Sequence, residues 1–94
     1  MTKSTKIKIV FMVGGPITKR WNDYFCLDLL NNYFDIEFWN FYNIIDDGYR
    51  VSSPLKRDYE VELTDIDSLK YNLKRIPKKS LFVIELGFIE PYYN

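Results

Sequence analysis

Gly14-Gly15-Pro16-Ile17-Thr18 interrupts an apolar run and is the stretch best suited to meeting a ligand. Two adjacent glycines let a backbone approach a bound group closely, and a helix beginning beyond them would offer unpaired amides. The same pair also serves a bare strand-to-helix turn with unusual dihedrals, so both readings stand at this point. Lys19 follows directly and could carry charge to the same place. Gly14, Gly15, Pro16, Thr18 and Lys19 are therefore the candidate ligand-binding residues.

The other groups with chemical potential are weaker. Asp65-Ile66-Asp67 has the D-x-D spacing by which two carboxylates hold a divalent cation. Here the triplet follows Thr64 and precedes a helical stripe, which favours a helix cap and no metal site. Glu85 sits inside an apolar strand, where it faces either a crevice or water at a sheet edge. Trp21, Trp39 and Tyr42 could stack on sugar rings, although aromatic residues at such spacings more often build a core.

The chain has no histidine and one cysteine, Cys26. That removes histidine-based triads, dyads and metal sites together, as well as any internal disulfide or multi-cysteine zinc site. No residue can be assigned a catalytic role, and no cofactor is called for. Lysine plus arginine balance aspartate plus glutamate at 13 each, without the basic surplus a nucleic-acid-binding domain uses against phosphates. With 47% hydrophobic and 18% aromatic residues, the composition is that of a folded domain. Its 94 residues allow a single domain, 1–94. No stretch approaches the ~20 apolar residues of a membrane span, and no signal-peptide cleavage site follows the short apolar run. The expected location is the cytosol.

These residues must be positioned by the surrounding elements. Ile7–Val13 is β-branched and nearly continuous in apolar character, like a strand covered on both faces of a parallel sheet. From Thr18 to Phe34 the spacing is helical, with Phe25, Cys26, Leu29, Leu30 and Tyr33 in one stripe and Thr18 as N-cap. Ile36–Phe41 reads as a second strand, Asp46-Asp47-Gly48 as a turn, and Tyr59–Leu63 as a short edge strand or extended lead-in. Thr64 should cap a second helix with Asp67 as the capping-box acid; its apolar face is Ile66, Leu69, Leu73 and Ile76, and Pro77 ends it. Ser80–Leu86 is a third apolar strand.

The resulting βαβαβ order predicts an α/β fold. It is a Rossmann-like three-layer unit with a parallel sheet ordered 3-2-1, an incomplete half of a doubly wound domain. Nothing in that arrangement covers the far side of the first strand, so Ile9, Phe11 and Val13 should lie on an exposed edge. A fragment, or a small domain that completes itself by dimerising, would follow. The phosphate-loop patterns G-x-G-x-x-G and G-x-x-x-x-G-K-[ST] are both absent, as are the aspartates of a phospho-acceptor receiver domain. A small nucleotide-binding or flavodoxin-like protein is correspondingly disfavoured.

The run FMVGGPITKRWNDYFCLDLLNNYFDIEFWNF resembles the N-terminal domain of bacterial GT-B glycosyltransferases, above all those of capsular and other surface polysaccharides. The likeness spans Lys6 to about Gly87. It rests on the apolar first strand, Pro16-Ile17-Thr18-Lys19-Arg20, the aromatic-rich helix, and the strands at Asp35–Trp39 and Ser80–Ile84. It implies an acceptor-side domain facing a cleft lined by Gly14, Gly15 and Pro16, with Thr18 and Lys19 nearby. It further implies a nucleotide-sugar donor and a glycan acceptor as partners of the full-length protein, and peripheral contact with the inner face of the cell membrane. The donor-binding domain is not within these residues, so the chain alone should be inactive. The competing expectation is a self-contained interaction module that forms a homodimer through an exposed sheet edge.

Overall fold

The computed structural model describes residues 6–45 and 53–86. The expected turn at Asp46-Asp47-Gly48 lies outside them. Four strands form one parallel sheet: β1 (Lys8–Val13), β2 (Asp35–Asn40), β3 (Glu60–Glu62) and β4 (Leu81–Glu85). Their spatial order is β3-β2-β1-β4. The fold is thus α/β and Rossmann-like, and it contains the run 3-2-1.

The third place in that run belongs to the short Glu60–Glu62 strand. The Ser80–Leu86 segment, expected beyond β2, lies instead on the other side of β1, with Ile9 beside Leu81 and Phe11 beside Val83. The expected exposed edge on the first strand is therefore corrected. β1 is central, and among the described residues β4 is an edge strand, as β3 is on the other side.

Alternation along β1 and β2 divides the core between the two faces of the sheet. Ile9, Phe11 and Val13 join Ile36 and Phe38 on one face, sealed by Ile17 and Leu27. On the other, Val10 and Trp39 pack with Phe41, Leu63 and Ile76. Fully burying a side chain such as Phe38 contributes about 1.5–3 kcal/mol, so these two clusters hold most of the fold.

The segment after the loop is not the single helix the spacing predicts. It divides into α1 (Lys19–Tyr24) and α2 (Leu27–Leu30), separated by Cys26 in the left-handed region at φ 54°. Trp21 and Phe25 pack on the core, as do Leu27, Leu30 and Phe34. From Phe25 to Leu27 is only two residues, about 200° of helical rotation, so one straight helix cannot bury both sets. The left-handed residue re-phases the chain and leaves Cys26, Leu29 and Tyr33 of the expected stripe exposed. For a residue with a Cβ that conformation costs about 1–2 kcal/mol, which burial of Leu27 offsets.

A single turn, α3 (Tyr42–Ile45), follows β2, and α4 (Ile66–Arg75) covers the Trp39 face. The cap of α4 is Asp65, one residue beyond the expected Thr64. Ser68, not Asp67, completes the capping box: its amide donates to Asp65 Oδ1 at 2.8 Å and its hydroxyl oxygen accepts from the Asp65 amide at 3.1 Å. Ile76 turns to extended backbone before Pro77, as a residue preceding proline prefers. Of the predicted apolar face, Leu69 and Ile76 pack on the core while Ile66 and Leu73 are exposed.

Candidate functional site

The strand order locates the most site-like region. The chain moves from β1 to β2 and β3 in one direction, then crosses back past β1 to β4. Consecutive connections therefore diverge between β1 and β4, and in open parallel sheets ligands bind beyond the carboxyl ends of strands at such a point. Gly14–Thr18 leaves β1 there. A plain 3-2-1 sheet would have had no divergence at this loop.

The loop is anchored at both ends. The Gly14 amide donates to the Glu85 carbonyl at 3.2 Å, tying it to β4, and the Phe41 amide donates to the Val13 carbonyl at 2.8 Å, tying β1 to the end of β2. At the far end, the Ile17 amide donates to Ser53 Oγ at 2.8 Å, whose hydroxyl donates to Glu60 Oε2 at 2.6 Å. Ile17 itself is fully buried. Gly15 and Pro16 form the span between these anchors.

The two glycines differ. A Cβ on Gly14 would come 3.1 Å from the Leu86 carbonyl oxygen and 3.3 Å from Ile45 Cδ1, so glycine there permits close strand packing. Among the described residues, a Cβ on Gly15 would meet nothing within 4 Å. Neither glycine has a left-handed φ, which removes the unusual-dihedral explanation for the pair. Among the described residues, then, packing does not require glycine at position 15, which is half-buried with room on its Cβ side.

The remaining candidates contribute unequally. Thr18 caps α1 by accepting from the Trp21 amide at 3.2 Å, which leaves its hydroxyl proton able to donate. Lys19 is exposed and donates to Asp23 Oδ2 at 2.7 Å, a hydrogen bond that raises its pKa. An exposed pair of this kind holds a lysine only loosely, so its ammonium can turn toward an anionic ligand. Pro16 is half-buried and has no N–H. Together these residues can bind, but none is placed to move a proton. Glu85, at the exit of β4, is exposed.

The aromatic candidates divide. Trp39 is fully buried, and Trp21 stacks on Phe25 with ring centres 5.3 Å apart, so both belong to the core. Tyr42 opens α3 beside the end of β2, where the Asn40 side chain accepts from its amide at 2.9 Å. Asp65 of the D-x-D triplet is taken up by its cap, and no cluster of metal-ligating side chains occurs among the described residues.

Sequence reading missed a second polar cluster. Glu37, buried at the middle of β2, accepts from Arg75 twice, at 2.7 and 2.9 Å, from Lys8 at 2.7 Å and from Trp39 Nε1 at 2.8 Å. Burial pushes its carboxyl upward, but the bonds from Arg75, Lys8 and Trp39 more than offset that and hold it at about 2. The cluster borders an open hollow of about 400 Å³ that also touches Asp58 and Tyr59, at the opposite end of the sheet from Gly15. Its carboxylate oxygens are already saturated, which makes it a structural tie between α4 and the sheet. The available signal was an acid flanked by Ile36 and Phe38 in a buried strand.

The chain matches no protein-family model, no curated protein and no solved structure. The geometry at Gly15 is accordingly the main guide to function. Among the described residues no helix is long and apolar enough to cross a membrane.

Proposed function

We propose that the chain is the acceptor-side Rossmann-like domain of a bacterial glycosyltransferase. The transferred sugar would pass from a nucleotide-sugar donor to a polysaccharide or lipid-linked acceptor in surface-polysaccharide synthesis. The observation that carries this reading is the unobstructed Cβ side of Gly15, among the described residues, where the β1 and β4 connections diverge. The resemblance of Lys6–Gly87 to the acceptor domain of such enzymes supports it. On this reading the Gly15 main chain approaches the reacting sugar or the departing diphosphate, Lys19 adds positive charge, and the Thr18 hydroxyl donates a hydrogen bond. Such a protein works in the cytoplasm, at the inner face of the membrane.

The test is an NMR titration of the chain with a nucleoside diphosphate-sugar and, separately, with an oligosaccharide. Weak, millimolar-range perturbations centred on the Gly15 and Thr18 amides are expected from at least one of them. Perturbations confined to the Glu37–Arg75 region, or none with either ligand, would overturn the reading.

A second reading, a protein-interaction module completed through a sheet edge, is favoured by a different observation. Every residue of β4 is exposed, including Leu81, Phe82, Val83 and Ile84.

A further inference from the structure

We infer that Ser53 is a positioning residue for the ligand loop, holding Ile17 so that the Pro16 carbonyl and the Thr18 amide are left free for a ligand. What the loop binds rests on the glycosyltransferase reading above; how it is held does not. Ser53 is 6% exposed and reaches Ile17 across 36 residues of sequence. The Ile17 amide donates to Ser53 Oγ at 2.8 Å, and the Ile17 carbonyl accepts from the Leu55 amide at 3.3 Å. Both main-chain groups of this fully buried residue are therefore taken by the strap formed by residues 53–55.

The peptide bonds here are trans, and in a trans peptide the C=O of one residue and the N–H of the next point to opposite sides. With the Ile17 N–H on Ser53, the Pro16 carbonyl points away from the strap. With the Ile17 carbonyl on Leu55, the Thr18 N–H does the same. Among the described residues neither group has a hydrogen-bond partner. A capping box would take up the Thr18 amide, but the third position of α1 holds Trp21, whose indole only donates. An acceptor beside a donor complements a hydroxyl, the polar group in which a sugar is richest. Glu60 settles the direction of the clasp. The Ser53 proton goes to Glu60 Oε2 at 2.6 Å, so toward Ile17 the oxygen can only accept. Glu60 lies on β3 beside Phe38, which ties the loop after β1 to the β3 edge of the sheet.

The experiment is amide exchange and backbone nitrogen relaxation on the full 94-residue chain and its Ser53→Ala and Ser53→Thr variants. Titrations with maltohexaose and, separately, UDP-glucose follow, with circular dichroism as a check on folding. In wild type the Ile17 amide should be protected, while the Gly15 and Thr18 amides exchange freely yet show little fast motion. Ser53→Ala should speed Ile17 exchange about tenfold and mobilise Gly15 and Thr18, with β2 amides changed less. It should also weaken, by about tenfold, the binding of whichever probe wild type takes up, because the loop must then be ordered on binding. Ser53→Thr keeps the hydroxyl and should restore both the order and the affinity. An Ile17 amide that exchanges as fast as Thr18 in wild type would overturn the inference without any variant, so it decides the matter even where Ser53→Ala does not fold. A folded Ser53→Ala protein whose loop stays ordered, or that binds as tightly as wild type, would overturn it equally, as would Ser53→Thr behaving like Ser53→Ala. Binding of neither probe to wild type would overturn the reading of what the loop binds, while exchange and relaxation still decide the role of Ser53.

Discussion

β2 and β4 are neighbours of the same strand and could hardly differ more. Both pair in parallel with β1, and both are short and rich in apolar residues. In β2 every residue from Ile36 to Asn40 is buried, whereas in β4 every residue from Leu81 to Glu85 is exposed. Composition did not decide this; coverage did. α1 and α2 close one face over β1 and β2, α4 closes the other, and neither layer reaches β4. An apolar strand is thus a demand for cover, which the rest of the described chain meets on one side of β1 only.

The largest effect that could break this comparison comes from paired truncations. Trp39→Ala on β2 removes a fully buried ring and should cost about 3–5 kcal/mol in urea unfolding. Ile84→Ala on β4, a residue 62% exposed, should cost less than about 1 kcal/mol when measured on dilute protein. Equal losses at the two positions would mean that β4 is covered after all.

Next in size is the tie at Glu37. Glu37→Gln leaves Arg75 and Lys8 without their shared anion and should cost about 2 kcal/mol, discounted because the Arg75 side chain is about a third exposed. Glu37 is held at about 2 against an ordinary 4.5, so its contribution is complete above about 4.5 and is lost as pH falls toward 2. Unfolding free energies measured across that window should fall less steeply with acid in the variant than in wild type. Parallel slopes would sink the assignment.

The smallest effects separate the two glycines. Gly14→Ala should cost about 1 kcal/mol, since its methyl group must displace the Leu86 carbonyl or Ile45. Gly15→Ala should be neutral or stabilising by up to about 0.5 kcal/mol, because the methyl enters open space and the unfolded chain loses freedom. The same Gly15 change should weaken ligand perturbations at the loop. Two equally destabilising alanines would make the loop a simple turn.

How far the sequence disclosed all this follows the same division. Local signals were legible: the apolar runs of β1 and β2, the Thr18 cap, the break at Pro77 and the edge character of Glu60–Glu62 are each written within a few residues. The bend at Cys26 was less so, because its cause is a phase change between Phe25 and Leu27 that no glycine announces. Non-local pairing was not legible. Whether Ser80–Leu86 lies beside β2 or β1 depends on which way a crossover returns, and both options satisfy the same hydrophobic pattern. The Glu37 cluster escaped for a related reason, since Lys8, Glu37 and Arg75 meet only once β1, β2 and α4 are stacked. The loop at Gly14-Gly15 was found, yet the distinction between its glycines needed the β4 carbonyl that packs on one of them.

The most direct test of an unfinished edge beside a finished core is amide hydrogen exchange. In dilute protein β2 amides should be strongly protected and outward-facing β4 amides should exchange fast. Protection of β4 matching that of β2 at high dilution would contradict it.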